Sequence, residues 1–166
     1  TSGGGSYLGK NIVVTAAHVV TVTDMKYIKV RFNKKNLYDS GLSFNVKKML
    51  VHPGYNSRTL EHDIAIIYLD DEPYKYGIKN VFLPSNKLSK EIYKVNNECI
   101  IMGYGKGSFF SFIQPYNIKI SKLKLLDKDK SNYGENDITK HMIVAADWND
   151  IENPYDNEDA CQGDSG

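Results

Sequence analysis

The chain has 166 residues, of which 41% are hydrophobic, and its 21 Lys and Arg residues balance 20 Asp and Glu residues to a formal net charge of +1. The apolar fraction is sufficient for a packed core and argues against wholesale disorder. Because the charge is balanced, nothing attracts nucleic acid or an acidic membrane over long range, and we expect neither partner. The two cysteines are too few for a disulfide scaffold and lack the spacing of a zinc site.

Short apolar runs separated by turn residues follow one another along the whole chain. They predict strands at 12–15, 26–32, 43–51, 64–69, 98–103, 116–126 and 141–146. Helical periodicity is confined to a turn around 16–20 and a short piece within 127–133. Many short strands at regular spacing predict an all-β sandwich or barrel.

Two of these regions indicate how the chain is organised. The run at 64–69, Ile-Ala-Ile-Ile-Tyr-Leu, is typical of a strand buried on both faces. The polar stretch at 70–97 has little periodicity and is the best candidate for a linker between two sheets. The chain has no initiator Met, no export signal and no apolar run of membrane-spanning length, and we expect it to be a fragment.

Three segments carry residues suited to nucleophilic chemistry. Thr-Ala-Ala-His ends at His18, Asp63 directly precedes a predicted strand, and Gly-Asp-Ser-Gly places Ser165 between glycines. Glycines let a serine sit on a tight turn, where the N–H groups of Gly163 and Ser165 can converge on an oxyanion. A serine hydroxyl is a poor nucleophile at neutral pH and needs a base, usually His, which in turn needs an orienting carboxylate.

The chain resembles the trypsin/chymotrypsin family of serine proteases, whose catalytic residues follow the same order, His18, Asp63, Ser165. Seven collinear motifs carry the resemblance: Gly4-Gly5-Ser6, Thr15-Ala16-Ala17-His18, His52-Pro53-Gly54-Tyr55-Asn56, Asp63-Ile64-Ala65, Leu83-Pro84, Gly103-Tyr104-Gly105 and Gly163-Asp164-Ser165-Gly166. The resemblance implies two antiparallel β-barrels in a partial peptidase domain over 1–166. The first barrel would span about 1–72, an inter-barrel linker 73–97, and an incomplete second barrel 98–166.

The same resemblance implies a serine endopeptidase that hydrolyses peptide bonds through an acyl-enzyme, without a cofactor. His18 would act as general base and then general acid, and Asp63 would hold its tautomer and stabilise the imidazolium. Ser165 would be the nucleophile, and the N–H groups of Gly163 and Ser165 would form the oxyanion hole. The competing class is a non-catalytic protease homologue that acts as a secreted binding or cofactor protein. Such homologues usually lack a catalytic residue, whereas all three are present here.

Two acidic residues close to Ser165 have implied roles. Asp159 matches the base of the primary specificity pocket, where a carboxylate selects Lys or Arg; its alternative is a solvated acidic loop over 156–159. Asp164 matches the residue that pairs with the new N-terminus after zymogen cleavage. Because no such N-terminus exists in this chain, we expect Asp164 to turn outward or to become protonated.

The sequence also bears on disulfides and on bound metal ions. Cys99 and Cys161 match positions whose disulfide partners lie beyond Gly166 in the family. The stretch that corresponds to the family's calcium loop, 32–44, offers only Asp39 as an acid, so we expect no calcium or other metal.

The resemblance also implies how and where the protein acts. It implies a secreted, extracellular enzyme that is made as a zymogen, acts as a monomer on protein or peptide substrates and meets protease inhibitors. We expect the 166 residues alone to be catalytically inactive and poorly folded, since the family's activation N-terminus and final strands are not among them.

Overall fold

The structure, a computed structural model, describes residues 2–36, 38–105, 116–130, 134, 137–146 and 164–166. These residues fall into two compact units. The first lies within 1–83, 103–118 and 161–166, and the second lies within 84–102 and 119–160. His18, Asp63 and Ser165 therefore belong to the same unit.

The first unit is built on a five-stranded antiparallel sheet. Its strands are β1 (Ser6–Gly9), β2 (Ile12–Thr15), β3 (Lys29–Phe32), β4 (Leu42–Val51) and β5 (Ala65–Leu69), in the order β1-β2-β5-β4-β3. A four-residue helix, α1 (Ala17–Val20), follows β2, and short 3-10 helices lie at Met25–Tyr27 and Pro73–Tyr76. The β-branched residues of β2 and β5 favour this extended, pleated conformation.

One face of this sheet carries the core. Along β5 the buried residues alternate with partly buried ones, so that Ala65, Ile67 and Leu69 face inward. Aromatic rings complete this core: Phe32 packs edge-on against Tyr7 and Phe44 at centroid distances of 5.4 and 5.6 Å. The expectation that this strand is buried on both faces is wrong, because the sheet has one covered face.

The second unit contains α2 (Asn86–Ile92) and a three-stranded sheet in the order β6-β7-β8. Its strands are β6 (Glu98–Gly103), β7 (Lys119–Leu126) and β8 (Val144–Ala146), and β7 pairs antiparallel with β8. Leu123 and Leu125 of β7 are buried, whereas Ile100 and Met102 of β6 are exposed. A 3-10 helix at Lys128–Lys130 follows β7.

The all-β fold class predicted from the sequence is confirmed by these two sheets and by the scarcity of helix among the described residues. The predicted helical turn is α1, and the predicted piece within 127–133 contains the last 3-10 helix. The helix α2 was not predicted. Its seven residues carry only two apolar positions, Leu88 and Ile92, which is too short a pattern to establish helical periodicity. Its clearest signal is the N-cap Ser85, which accepts a hydrogen bond from the Leu88 N–H at 3.2 Å.

Candidate active site

His18 stands where the chain leaves β2 and turns into α1. Ala17 and Val20 of this helix are buried in the core of the first unit. His18 directly follows Ala17 and so points to another side of the helix, where its side chain is 38% exposed. Hydrophobic anchoring of α1 therefore places a partly accessible imidazole three residues after the end of β2.

Asp63 reaches His18 because β2 and β5 are neighbours. Thr15 at the end of β2 lies opposite Ala65 at the start of β5, so the residues just after β2 and just before β5 meet at one edge of the sheet. The turn that leads into β5 is tight, with positive φ angles of 55° at Leu60 and 54° at His62. Antiparallel pairing thus brings together two residues that are far apart in sequence.

The Asp63 carboxylate contacts His18 twice, once at the ring and once at the backbone. Asp63 Oδ2 lies 2.6 Å from the ring Nδ1 of His18, and Asp63 Oδ1 accepts a hydrogen bond of 2.8 Å from the His18 backbone N–H. The Asp63 side chain is only 18% exposed. Both carboxylate oxygens are therefore committed to the same residue, which restricts the position and the rotation of the imidazole.

This arrangement determines the tautomer of His18. An ionised carboxylate can only accept hydrogen bonds, so the proton of the neutral ring must be on Nδ1. The other ring nitrogen, Nε2, then carries a lone pair and can take a proton from a hydroxyl group. The pair has the geometry of an oriented general base.

Ser165 is held beside α1 through the glycine segment that precedes β1. Its backbone carbonyl accepts a hydrogen bond of 2.6 Å from the Gly4 N–H. A Cβ on Gly3 would lie 2.6 Å from Val19 Cγ1 and 2.8 Å from the Ser165 carbonyl oxygen. The absence of a side chain at Gly3 thus lets the Ser165 backbone approach the helix that carries His18.

Asp164 points into the loop of Gly103, Tyr104 and Gly105. It is half-buried, and its Oδ1 accepts a hydrogen bond of 2.6 Å from the Gly105 N–H. A Cβ on either Gly103 or Gly105 would collide with the Asp164 carboxylate. We expected Asp164 to turn outward or to become protonated; the side chain does not turn outward but lies against this glycine-flanked loop and accepts a hydrogen bond from it.

Several predicted site residues lie outside the described residues. These are Gly163 of the oxyanion hole, Asp159 of the specificity pocket and Cys161. Of the Gly-Asp-Ser-Gly turn, residues 164–166 are described, and Gly166 has a φ of 129°, which a residue with a side chain rarely adopts.

The remaining histidines of the first unit form a separate contact. The His52 and His62 rings stack with centroids 4.4 Å apart and an angle of 14° between their planes. His62 thus packs on His52, and its φ of 54° shows that it does not lie on extended backbone. Within either unit taken alone, no three described His, Cys, Asp or Glu side chains converge closely enough to hold a metal ion.

Sequence reasoning missed the residues that seat Ser165. Thr15 was noted only as part of a motif, yet its hydroxyl donates to the Gly4 carbonyl at 2.8 Å although the residue is 4% exposed. The available signal was a hydroxyl at the end of an otherwise aliphatic strand. Gly3 begins a run of three glycines, and this run is the available signal for a close approach of backbone.

Comparisons with known proteins identify the family of the chain. The family model "Trypsin" matches residues 1–166. Trypsin delta of Drosophila melanogaster is 30% identical over 164 residues, covering 98% of this chain and 61% of its own length, and trypsin Blo t 3 of Blomia tropicalis is 29% identical over 170 residues, covering 98% and 60%. This chain thus spans about three fifths of the length of these relatives.

Solved structures lead to the same family. Neuropsin, a serine protease expressed in the limbic system of mouse brain, superposes with a TM-score of 0.79 at 28% identity, over 98% of this chain and 68% of its own. None of the described helices is both long and apolar enough to cross a membrane. With a family model that matches from the first residue to the last, the chain belongs to the trypsin family of serine proteases.

Proposed function

We propose that this chain carries the catalytic residues of a serine endopeptidase that cleaves peptide bonds after Lys or Arg through an acyl-enzyme. The observation that carries the proposal is the bidentate contact between Asp63 and His18, which leaves His18 Nε2 free to accept a proton. The seating of Ser165 beside the helix of His18 supports the same assignment.

The reaction has two halves. In the first, His18 Nε2 takes the proton of the Ser165 hydroxyl while Ser165 Oγ bonds to the scissile carbonyl carbon. The N–H groups of Gly163 and Ser165 stabilise the oxyanion that forms. The C–N bond then breaks, His18 gives its proton to the leaving amine, and an ester of Ser165 remains.

In the second half, water replaces the amine. His18 takes a proton from the water, the hydroxide bonds to the ester carbon, and collapse releases the acid with return of the proton to Ser165 Oγ. Asp63 stays ionised throughout and stabilises the imidazolium that forms in each half. No cofactor takes part in the proposed reaction.

Further proposals concern specificity and activation. Asp159 at the base of the specificity pocket would pair with the side chain of a substrate Lys or Arg. Asp164, whose Oδ1 accepts a hydrogen bond from the Gly105 N–H, would be the partner of an activation N-terminus.

The setting of the enzyme is also a proposal. We propose a secreted, monomeric zymogen that acts on proteins or peptides, is bound by protease inhibitors, and carries disulfides at Cys99 and Cys161. Cys99, which forms no disulfide among the described residues, is partly buried, and this burial raises the pKa of its thiol. A thiol with a raised pKa is poorly reactive, which suits a structural role.

We also propose the division of the chain into a first barrel over 1–72, a linker over 73–97 and a second barrel over 98–166. Exposure of Phe82 and Leu83, at 87% and 74%, supports a connecting role for this stretch.

The test is covalent labelling of Ser165 by diisopropyl fluorophosphate in the complete encoded polypeptide, read by mass spectrometry. The expected result is a single adduct on Ser165 that is absent in Ser165→Ala and strongly reduced in His18→Ala. A folded protein that binds peptides but is not labelled would instead support the non-catalytic homologue.

Cleavage of Lys, Arg and Phe peptides by Asp159→Ser tests specificity, and unchanged cleavage after Lys and Arg would contradict the role of Asp159.

A further inference from the structure

Thr15 is connected to Ser165 by two hydrogen bonds in series. The Thr15 hydroxyl donates to the Gly4 carbonyl at 2.8 Å, and the Gly4 N–H donates to the Ser165 carbonyl at 2.6 Å. Along the chain, Thr15 is also three residues before His18. A single residue is therefore joined to the base by a short stretch of backbone and to the nucleophile by hydrogen bonds.

The hydrogen bond from the Thr15 hydroxyl to the Gly4 carbonyl is not one of the backbone hydrogen bonds that pair β1 with β2. The pairing of β1 with β2 extends to Ser6 opposite Val14, so Gly4 lies beyond the last pair. The side chain of Thr15, rather than the strand ladder, holds the Gly4 carbonyl. Gly4 in turn donates a hydrogen bond to the Ser165 carbonyl. The Thr15 side chain therefore links β2, through Gly4, to the segment that carries the nucleophile.

A hydroxyl at this position requires an explanation. Thr15 is 4% exposed, and the three preceding residues of β2 are aliphatic. Burying a hydroxyl without a partner is unfavourable, so Val would suit the position better if packing alone mattered. The partner of this hydroxyl is the carbonyl of Gly4, the residue whose N–H binds Ser165.

A second contact leads to the same place. A Cβ on Gly166 would lie 2.7 Å from Thr15 Oγ1 and would collide with the Gly4 carbonyl. The Thr15 hydroxyl thus lies against the residue that directly follows Ser165. Both the carbonyl of Ser165 and the residue after it are arranged around the Thr15–Gly4 contact.

We propose that Thr15 is a positioning residue for the nucleophile: through Gly4 it holds the backbone of Ser165 in register with His18. The effect on catalysis rests on the proposed function of His18 and Ser165. The hydrogen-bonded link itself does not, and it can be measured without any reaction.

The test compares Thr15→Val, which keeps the shape and removes the hydroxyl, with Thr15→Ser, which keeps the hydroxyl and removes a methyl group. In the complete encoded polypeptide, we expect labelling of Ser165 by diisopropyl fluorophosphate to slow about tenfold in Thr15→Val and to recover to within about threefold of wild type in Thr15→Ser. The pH at which labelling is half-maximal should stay unchanged, because the His18–Asp63 contact is untouched. Equal rates in wild type and Thr15→Val would overturn the proposal.

Amide hydrogen exchange at Gly4 gives the second readout. In the Ser165→Ala background, which has no nucleophile, Thr15→Val should exchange the Gly4 amide roughly tenfold faster, with Leu69 of β5 exchanging as before to show that the fold persists. An unchanged Gly4 rate would contradict the link. Absence of labelling in every variant, together with the faster Gly4 exchange, would reject the proposed function and support the link.

Discussion

Asp63 binds His18 twice, once at the ring and once at the backbone, with 2.6 Å between Oδ2 and Nδ1 and 2.8 Å between Oδ1 and the N–H. The backbone bond gives the carboxylate a fixed position from which the second oxygen can orient the ring. Orientation and tautomer are thus determined by one residue, at the point where β2 and β5 are paired.

The first prediction concerns Asp63→Asn. The amide oxygen can still accept from the His18 N–H, so the fold should be retained, but the amide NH₂ facing Nδ1 favours the tautomer with its proton on Nε2. That tautomer cannot take the proton of Ser165. We expect labelling of Ser165 to fall about 10⁴-fold, the loss known for this substitution in a Ser-His-Asp triad. A fall of less than about tenfold, with circular dichroism unchanged, would contradict the role of Asp63.

The second prediction concerns Gly105 and Asp164. A methyl group on Gly105 would overlap the Asp164 carboxylate, so Gly105→Ala should lower the free energy of unfolding by about 1–3 kcal/mol. In an Asp164→Ala background the obstacle is gone, and the same change should cost much less. The measurement is a double-mutant cycle by urea denaturation, and additive effects would show that the two residues are not in contact.

Gly77 provides the control for that cycle. Its φ is 80° and no atom lies within 4 Å of its missing Cβ, so Gly77→Ala strains the backbone without any collision. We expect it to destabilise the protein equally in the presence and absence of the Asp164 carboxylate.

The third prediction concerns the core of the first unit. Leu69 of β5 is fully buried, and Leu69→Ala should lower the free energy of unfolding by about 2–5 kcal/mol through lost burial and a cavity. Leu50 of β4 is 42% exposed, and Leu50→Ala should cost clearly less. Equal costs in thermal or urea denaturation would contradict the one-sided burial of this sheet.

The fourth prediction is a dependence of stability on pH. The Lys75 ammonium, the Glu72 N–H and the Tyr76 hydroxyl, in that order, lower the pKa of Asp71 from 3.8 to about 2. A carboxyl group with a lowered pKa stabilises the folded state above its unfolded pKa, and this contribution is lost as pH falls from about 4 through 2. Asp71→Asn should therefore be less stable than wild type at pH 6, and the difference should shrink at pH 2.

The control for Asp71 is Asp24, whose contact with Lys26 is 3.7 Å long between two exposed side chains. Asp24→Asn should leave the pH dependence of urea denaturation nearly unchanged. A difference between wild type and Asp71→Asn that is the same at pH 6 and pH 2 would argue against the lowered pKa.

Much of the fold was predictable because apolar periodicity is local. The strands β2 and β6 have the bounds that their apolar runs predict, and β4 begins one residue earlier than predicted. The strand predicted at 26–32 begins only at Lys29, because Met25–Tyr27 form a 3-10 helix. Strand β1 was missed, since its four residues, Ser-Tyr-Leu-Gly, carry little alternation and depend on pairing with β2 for their conformation.

For the candidate site, seven collinear motifs and the family resemblance that they carry were enough to single out His18, Asp63 and Ser165 and to predict what each could do chemically. Which atoms meet was decided only by tertiary structure, because a hydrogen bond between residues far apart in sequence depends on which strands pair and in what register. The pairing of Thr15 with Ala65 brings Asp63 to His18, and a buried hydroxyl with a glycine carbonyl seats Ser165. Local sequence patterns do not predict such contacts, so the role proposed for Thr15 could be inferred only from the folded chain.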